Sequence, residues 1–397
     1  MYQRSQVDTL VDRLLEQDVW TMQFIVGPRQ TGKSTMLAQA LGRVSMERHF
    51  VSADDVAAPN EAWIEREWQV ARNMTRGGSE PVALCIDEVQ KVAGWARQVK
   101  SLYDRDRREG TPVKAVLSGS SSLLLHQGME DSLMGRFEII RSPHWSLKEV
   151  RDAFGFSLDE FLYFGGYPGA SALSKDARRW KAYVRDAIVE PTISRDVLEM
   201  AEVRKPALMR ALFRLGCAYS GQELSYNKML GQLQDNGNTV TIAHYLDLLG
   251  KAGMISAIPK YSDKELAKRR SSPRLMVHDT SLMTALSDKG RDDFALQRDL
   301  RGHLVESAVG AYLLSRASSE GFEVSWWREG VKEVDFVVKD GSRLSAIEVK
   351  SGAESGQSGM ADFLDKHPSA KRIVVGGSSA GACGVEAFLL GEVDLFY

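Results

Sequence analysis

Three short stretches of the 397-residue sequence combine residue types that can do chemistry. The first, "GPRQTGKST" at 27–35, fits the spacing G-x-x-x-x-G-K-[ST] at Gly27, Gly32, Lys33 and Ser34. Glycines let backbone N–H groups curl around phosphate oxygens, and a following helix adds its positive N-terminal dipole. Lys33 then reaches the β- and γ-phosphates, and the Ser34 hydroxyl ligates Mg²⁺. Gly27, Pro28, Arg29, Gln30, Thr31, Gly32, Lys33, Ser34 and Thr35 are therefore the candidate ATP-binding residues. The second stretch, "VALCIDE" at 82–88, runs an apolar strand into two acids. Asp87 is expected to hold Mg²⁺ through water, and Glu88 to polarise the attacking water. A neighbouring strand, "KAVLSGSSS" at 114–122, brings Ser118 and Ser120 to where a γ-phosphate would be sensed.

The third stretch lies far downstream. "LSAIEVKSG" at 344–352 puts Glu348 and Lys350 two residues apart in an apolar run. Just before it come "VKEVDFVV" and the turn "KDGS". With Asp340-Gly341 as a two-residue hairpin turn, Asp335 faces Ala346. Alternation then puts Asp335, Ala346, Glu348 and Lys350 on one sheet face, with Glu348 the diagonal neighbour of Asp335, roughly 7–8 Å away. The opposite face receives Val334, Phe336, Val338, Ile347 and Val349. A helix over 302–318, "GHLVESAVGAYLLSRAS", sets Glu306 beside its apolar stripe. Two or three carboxylates can share one Mg²⁺ or Mn²⁺, and a lysine beside it can activate a metal-bound water against a phosphodiester. Asp335, Glu348 and Lys350 are thus candidate catalytic residues, with Glu306, Asp335 and Glu348 as metal ligands.

These residues need elements to hold them. Phe24-Ile25-Val26 reads as a buried strand entering the glycine loop, and Met36, Leu37 and Leu41 mark the helix leaving it. Residues 146–205 carry helical periodicity broken by "GGYPG" at 165–169. Between 206 and 262 come three short helices and the strand "ISAIPKY", the pattern of a winged helix, a common DNA-reading unit. Lys264, Lys268, Arg269, Arg270 and Arg274 follow as candidate phosphate binders, and Arg185 or Arg195 could contact phosphates from the helical region. Composition is ordinary for a globular protein, with 43% hydrophobic and 26% charged residues. The formal charge of −2 gives no bulk attraction to nucleic acid, so DNA binding has to be local. Cys85, Cys217 and Cys383 are far apart and odd in number, which argues against a disulfide framework. No apolar run is long enough to span a membrane, and a cytoplasmic location is expected.

"VDFVV…IEVK" with an upstream glutamate looks like the PD-(D/E)XK nuclease core, with Glu306, Asp335, Glu348 and Lys350 at the matching positions. Taken whole, the chain resembles prokaryotic AAA-type ATPases that join a P-loop core to a C-terminal domain of unknown function with this nuclease fold. The segments "CIDEVQK", "GRFE", "FLYFGGYP", "LMVHDTSLMTAL", "GHLVESAV" and "WWREGVKEVDFVV" extend that likeness along most of its length. The resemblance implies an α/β chain in four parts: an AAA-type parallel-sheet core at 1–145, a helical lid at 146–205, a winged helix at 206–262 and a nuclease-like domain at 263–397. It also implies that Arg136 reaches into a neighbouring subunit's nucleotide, as a trans arginine finger would. The expected activity is that of an ATP-hydrolysing homo-oligomer, a ring or hexamer, that cuts branched or structured DNA. Its alternative is a nucleotide-dependent switch whose nuclease-like domain only binds DNA or a protein partner.

Overall fold

The computed structural model describes residues 2–17, 20–78, 80–119, 133–198, 203–234, 238–262, 271–350, 359–378 and 380–397, without the side chains of 195 and 196. Ser120, Lys264, Lys268, Arg269, Arg270 and the Arg195 side chain lie outside the described residues. The chain divides into two compact units, Met1–Pro143 and His144–Tyr397.

The first unit is built on a five-stranded sheet: β1 (Met22–Val26), β2 (Glu47–Ser52), β3 (Val82–Asp87), β4 (Val113–Gly119) and β5 (Phe137–Arg141). The order is β2-β3-β4-β1-β5, and every pairing is parallel. Parallel strands need crossover connections, which here place helices on both faces. One face packs Trp63, Trp68, Trp95 and Val99 from the helices Glu61–Met74 and Trp95–Glu109. The other packs Val7, Leu10 and Leu14 from the helix Ser5–Leu15 together with Met36 and Leu37 from the helix Lys33–Leu41. Covered on both faces, β1 and β3 are buried along their whole length, which is why they read as unbroken apolar runs. Inside the first layer, Asp106 accepts from Trp68 Nε1 at 2.6 Å and from Arg72 Nε at 2.7 Å. Leaving either charge of that buried pair alone would destabilise the fold by about 3–5 kcal/mol.

Parallel order brings the C-terminal ends of β1, β4 and β3 side by side. Ile25 is level with Ser118, and Ile86 with Leu117. The glycine loop after β1, Ser118 at the end of β4 and Asp87 at the end of β3 therefore open onto one crevice, where ligands bind in such sheets.

The second unit starts with short helices. Leu147–Phe154 and Leu158–Phe164 both open on serine capping boxes, at Ser146 with Glu149 and at Ser157 with Glu160. Two π-helical segments, Val184–Val189 and Thr192–Val197, continue this helical region. The helices Pro206–Ala218, Tyr226–Gln232 and Thr239–Lys251 come next. An antiparallel ribbon of β6 (Ile255–Ile258) and β7 (Arg274–Val277) follows them. The ribbon's second strand thus lies beyond the residues that the sequence pattern assigned to a winged helix. A second sheet, mixed and five-stranded, comprises β8 (Glu323–Glu329), β9 (Lys332–Asp340), β10 (Arg343–Lys350), β11 (Lys371–Gly376) and β12 (Ala382–Cys383) in the order β12-β11-β10-β9-β8. The whole is an α/β chain, as the family resemblance implied.

Two local features of the second sheet differ from expectation. Asp340 pairs with Arg343, so Gly341-Ser342 form the loop, and Phe336 faces Ile347. Gly341 takes φ 57°, the left-handed conformation that glycine adopts at no steric cost. The turn thus starts one residue later than Asp340-Gly341, and each β9 residue of the hairpin faces a partner two positions further along β10. In addition, Val337 faces Ser325 while Val334 faces Trp327, so three steps along β9 oppose two along β8. This bulge breaks the alternation at Asp335. Val334 and Val337 consequently pack in one cluster with Ala346 and Phe363, which strict alternation forbids. The expected division into an acidic face and an apolar face is replaced by apolar packing that includes Ala346, while Asp335 turns to other partners.

Candidate functional site

In the glycine loop the backbone approaches its neighbours too closely for any other residue at its first position. A Cβ on Gly27 would lie 2.0 Å from the Ser142 carbonyl oxygen. Gly32 has φ 89° and caps the helix Lys33–Leu41. Lys33, 6% exposed, donates from Nζ to the Gly27 carbonyl at 3.0 Å and the Pro28 carbonyl at 2.7 Å. The lysine is thus curled over the loop it must serve. Thr31 is buried and donates to the Pro28 carbonyl at 3.0 Å. Gln30 is at φ 61°, a left-handed position that few non-glycine residues adopt.

Asp87 is the hub of this crevice. Its carboxylate accepts the Ser34 hydroxyl at 2.6 Å, the Ser118 hydroxyl, and the Glu88 backbone N–H at 3.1 Å. Ser34 and Asp87 converge as a nucleotide-bound Mg²⁺ requires, one hydroxyl and one carboxylate on a single point, so these residues fit that ion. Glu88 sits at φ 53°, a strained conformation for a residue with a side chain. Burial raises its pKa above the ordinary glutamate range, while Lys33, Arg29 and the Gln90 hydrogen bond pull it down and Asp87 pushes it further up. The Gln90 amide donates to the Glu88 carboxylate at 2.5 Å. The crevice therefore gathers the glycine loop, a hydroxyl hydrogen-bonded to a carboxylate, and a second carboxylate with raised proton affinity.

Arg136 stands apart from the crevice residues. It holds Asp104 with two bonds, from Nε at 2.7 Å and Nη2 at 3.1 Å. Both side chains are about a third exposed, at 31% and 28%.

In the second unit Asp335, Glu348, Lys350 and Glu306 are neighbours, but each already has a partner. Glu348 pairs with Lys350 at 2.5 Å. One oxygen of Asp335 accepts the Val349 N–H at 2.8 Å. Arg274, which sequence reasoning placed in a surface stretch of phosphate binders, is instead buried among these acids at 2% exposure. Its Nη1 donates to Glu306 at 3.0 Å and to the Asp335 carbonyl at 3.1 Å, and lies 3.6 Å from the Asp335 carboxylate. Its Nη2 bonds Glu333. The correction has a simple cause: Arg274 is the first residue of β7, whose pairing with β6 carries it inward. Burial and the Asp335 charge push the Glu306 pKa up to about 8, against the pull of Arg274. Burial likewise raises Asp335, again opposed by Arg274. Among the described residues no group of three or more His, Cys, Asp or Glu side chains could hold a metal ion. With a guanidinium among its acids, the donor set does not fit the divalent ion that the nuclease resemblance implied.

Three family models match the sequence: an AAA domain over residues 20–151, a domain of unknown function (DUF8612) over 155–293, and another (DUF4143) over 301–382. The chain carries an AAA-type P-loop ATPase domain. No curated protein matches. Among solved structures, the Walker-type ATPase PABY2304 of Pyrococcus abyssi is similar at 14% identity and a TM-score of 0.48, covering 72% of this chain and 96% of that one. The Holliday junction branch migration motor RuvB of Thermotoga maritima follows at 16%, with a TM-score of 0.35 over 64% of this chain and 90% of that one. The Aeropyrum pernix ORC1 protein in complex with DNA has 12% identity and a TM-score of 0.31, over 74% and 94%. At these TM-scores the likenesses carry no functional argument.

The AAA-type domain also uses residues that sequence reasoning missed. Arg4, 2% exposed, donates to the Ser142 hydroxyl at 2.9 Å and the Pro143 carbonyl at 3.1 Å. Ser142 in turn donates to Thr31 at 3.3 Å. This chain of bonds props the glycine loop from behind, and no sequence spacing signals it. Gln90 had a signal, two residues past Glu88 in "DEVQK". Among the described residues no helix is long and apolar enough to cross a membrane.

Proposed function

We propose that this protein hydrolyses ATP and that its nucleotide state governs DNA binding by the second unit, within a homo-oligomer. The observation that carries this reading is the convergence of Lys33, Ser34, Asp87, Glu88 and Ser118 at the adjacent ends of β1, β3 and β4. On ATP arrival, Lys33 exchanges the Gly27 and Pro28 carbonyls for phosphate oxygens, since a charged acceptor forms the stronger bond. Ser34 and Asp87 would hold Mg²⁺, whose chemistry is to neutralise charge developing on the phosphates. Glu88 orients and deprotonates the attacking water, and its release from Gln90 is the step that frees it to do so. Ser118 faces the γ-phosphate. Arg136 supplies charge to a neighbouring subunit. Its pair with Asp104 is exposed enough to contribute only about 0–1 kcal/mol, so the arginine is available.

For the second unit the proposed divisions are a helical lid at 146–205, a winged helix at 206–262 and a nuclease-like domain at 263–397. Support for DNA contact is the run of three helices and an antiparallel ribbon. The exposed side of the helix Thr239–Lys251 carries Val240, His244 and an Asp247–Lys251 ion pair at 3.0 Å, a weakly charged surface. Phosphate contact is therefore assigned to the ribbon's basic connection, Lys264 to Arg270. Metal-dependent cleavage by Asp335, Glu348 and Lys350 would require Arg274 to leave their side, so nucleotide-controlled binding is the favoured reading. Polarisation of labelled duplex, single-stranded and four-way-junction DNA, with a slowly hydrolysed ATP analogue or ADP, tests it. At least a ten-fold affinity difference between the two nucleotides is expected, lost in Lys33→Ala. No binding to any of the three in either state sinks the proposal. A parallel plasmid incubation with Mg²⁺ or Mn²⁺ should leave the DNA intact.

A further inference from the structure

The carboxylates of the second unit are more completely paired than a metal site permits. Arg274 brings a permanent positive charge and a rigid fork of donors. It reaches Glu306, the Asp335 carbonyl and Glu333, and its guanidinium lies 5.2 Å from the centre of the Trp326 ring. The second oxygen of Glu333 accepts from Arg328, which flanks the same ring at 5.6 Å. The side chain of Arg274 is 3% exposed, so it has no route to water without dismantling its surroundings. A divalent ion placed among the same acids would meet a fixed cation within a few ångströms, in a medium where such repulsion is strong. Moving the arginine aside would leave its charge buried and unpaired.

We propose that Arg274 is the resident cation of this carboxylate cluster, and that Glu306, Glu333 and Asp335 form an arginine clasp in place of a divalent-metal centre. The clasp joins the β6–β7 ribbon, which supplies Arg274, to the sheet of β9 and to the helix Arg298–Glu320, which supplies Glu306. The conformation of the ribbon is thereby tied to the acids that a nuclease would use for metal. The inference stands on these contacts and is independent of the nucleotide site.

Free Mn²⁺, followed by its paramagnetic resonance signal during titration of the nucleotide-free full chain, tests the assignment. Wild type and Asp335→Asn should withdraw equal amounts of Mn²⁺. Arg274→Met removes the charge and keeps the apolar stem, and it should gain one site at least ten-fold tighter than any in wild type. Adding Asp335→Asn to that variant should abolish the gain. The proposal is overturned if wild type binds one Mn²⁺ that Asp335→Asn loses, or if a folded Arg274→Met variant binds no more tightly than wild type. Should Arg274→Met fail to fold, the comparison of wild type with Asp335→Asn decides the question alone.

Discussion

Gly27→Ala is a one-methyl change with a large expected effect. The added carbon would sit 2.0 Å from the Ser142 carbonyl oxygen and 2.9 Å from its carbon, about 1 Å inside normal contact. Ser142 cannot retreat freely. Its N–H donates to the Val26 carbonyl at 2.7 Å, and its hydroxyl accepts from the buried Arg4. The strain therefore falls on the glycine loop, at about 1–3 kcal/mol for an overpacked site. A loop displaced by about 1 Å no longer matches the phosphates, and misplacement on that scale costs on the order of 10²-fold in turnover. Titration with a fluorescent ATP analogue and steady-state phosphate release measure both effects. Affinity should fall at least ten-fold and turnover about a hundred-fold. Gly231→Ala is the matched control, because nothing lies within 4 Å of its added carbon in the helix Tyr226–Gln232. That variant should stabilise the chain by up to about 1 kcal/mol and leave turnover unchanged. Wild-type affinity and turnover in Gly27→Ala would refute the packing argument.

Two further expectations follow from particular contacts. If Arg136 serves a neighbouring subunit, turnover per chain should rise with protein concentration in wild type and stay flat in Arg136→Ala; a flat wild-type profile removes the trans role. His278 accepts or donates at 2.7 Å to Ser256, and its pKa is pushed down to about 3 by burial, with the nearby His144 adding to the effect. Between that value and the unfolded value of about 6.5, the unfolded chain binds the proton that the folded chain refuses. Stability should therefore fall as pH drops below about 6.5, by up to about 2 kcal/mol at pH 5, and His278→Asn should flatten that slope in urea unfolding. An unchanged slope contradicts the assignment.

Local chemistry was easier to read from the sequence than pairing was. The glycine loop and "CIDE" were legible because their strands are buried on both faces and their spacing is dictated by phosphate. β2 escaped notice because it is an edge strand that opens on the polar run Glu47-Arg48-His49 and is exposed or half-exposed along its length. The hairpin pairing was misread by two residues because Gly341, and not Asp340, opens the loop. Glu306, Asp335, Glu348 and Lys350 lie near one another, a proximity that residue spacing made legible. The role of Arg274 was not legible, since it depends on a β-ribbon pairing across a basic connection that looked like a surface run. Nor does any local pattern announce the bulge that turns Asp335 away from Ala346.

In the proposed hydrolysis Glu88 activates the water that attacks ATP in a crevice built by Lys33, Ser34 and Asp87. Phosphate release by Glu88→Gln, compared with wild type at matched nucleotide occupancy, tests it most directly. The substitution keeps the size and the Gln90 contact but removes the base. Turnover should drop about 10²–10⁴-fold while ATP affinity stays within about two-fold of wild type. Equal turnover in the two proteins would rule out Glu88 as the base.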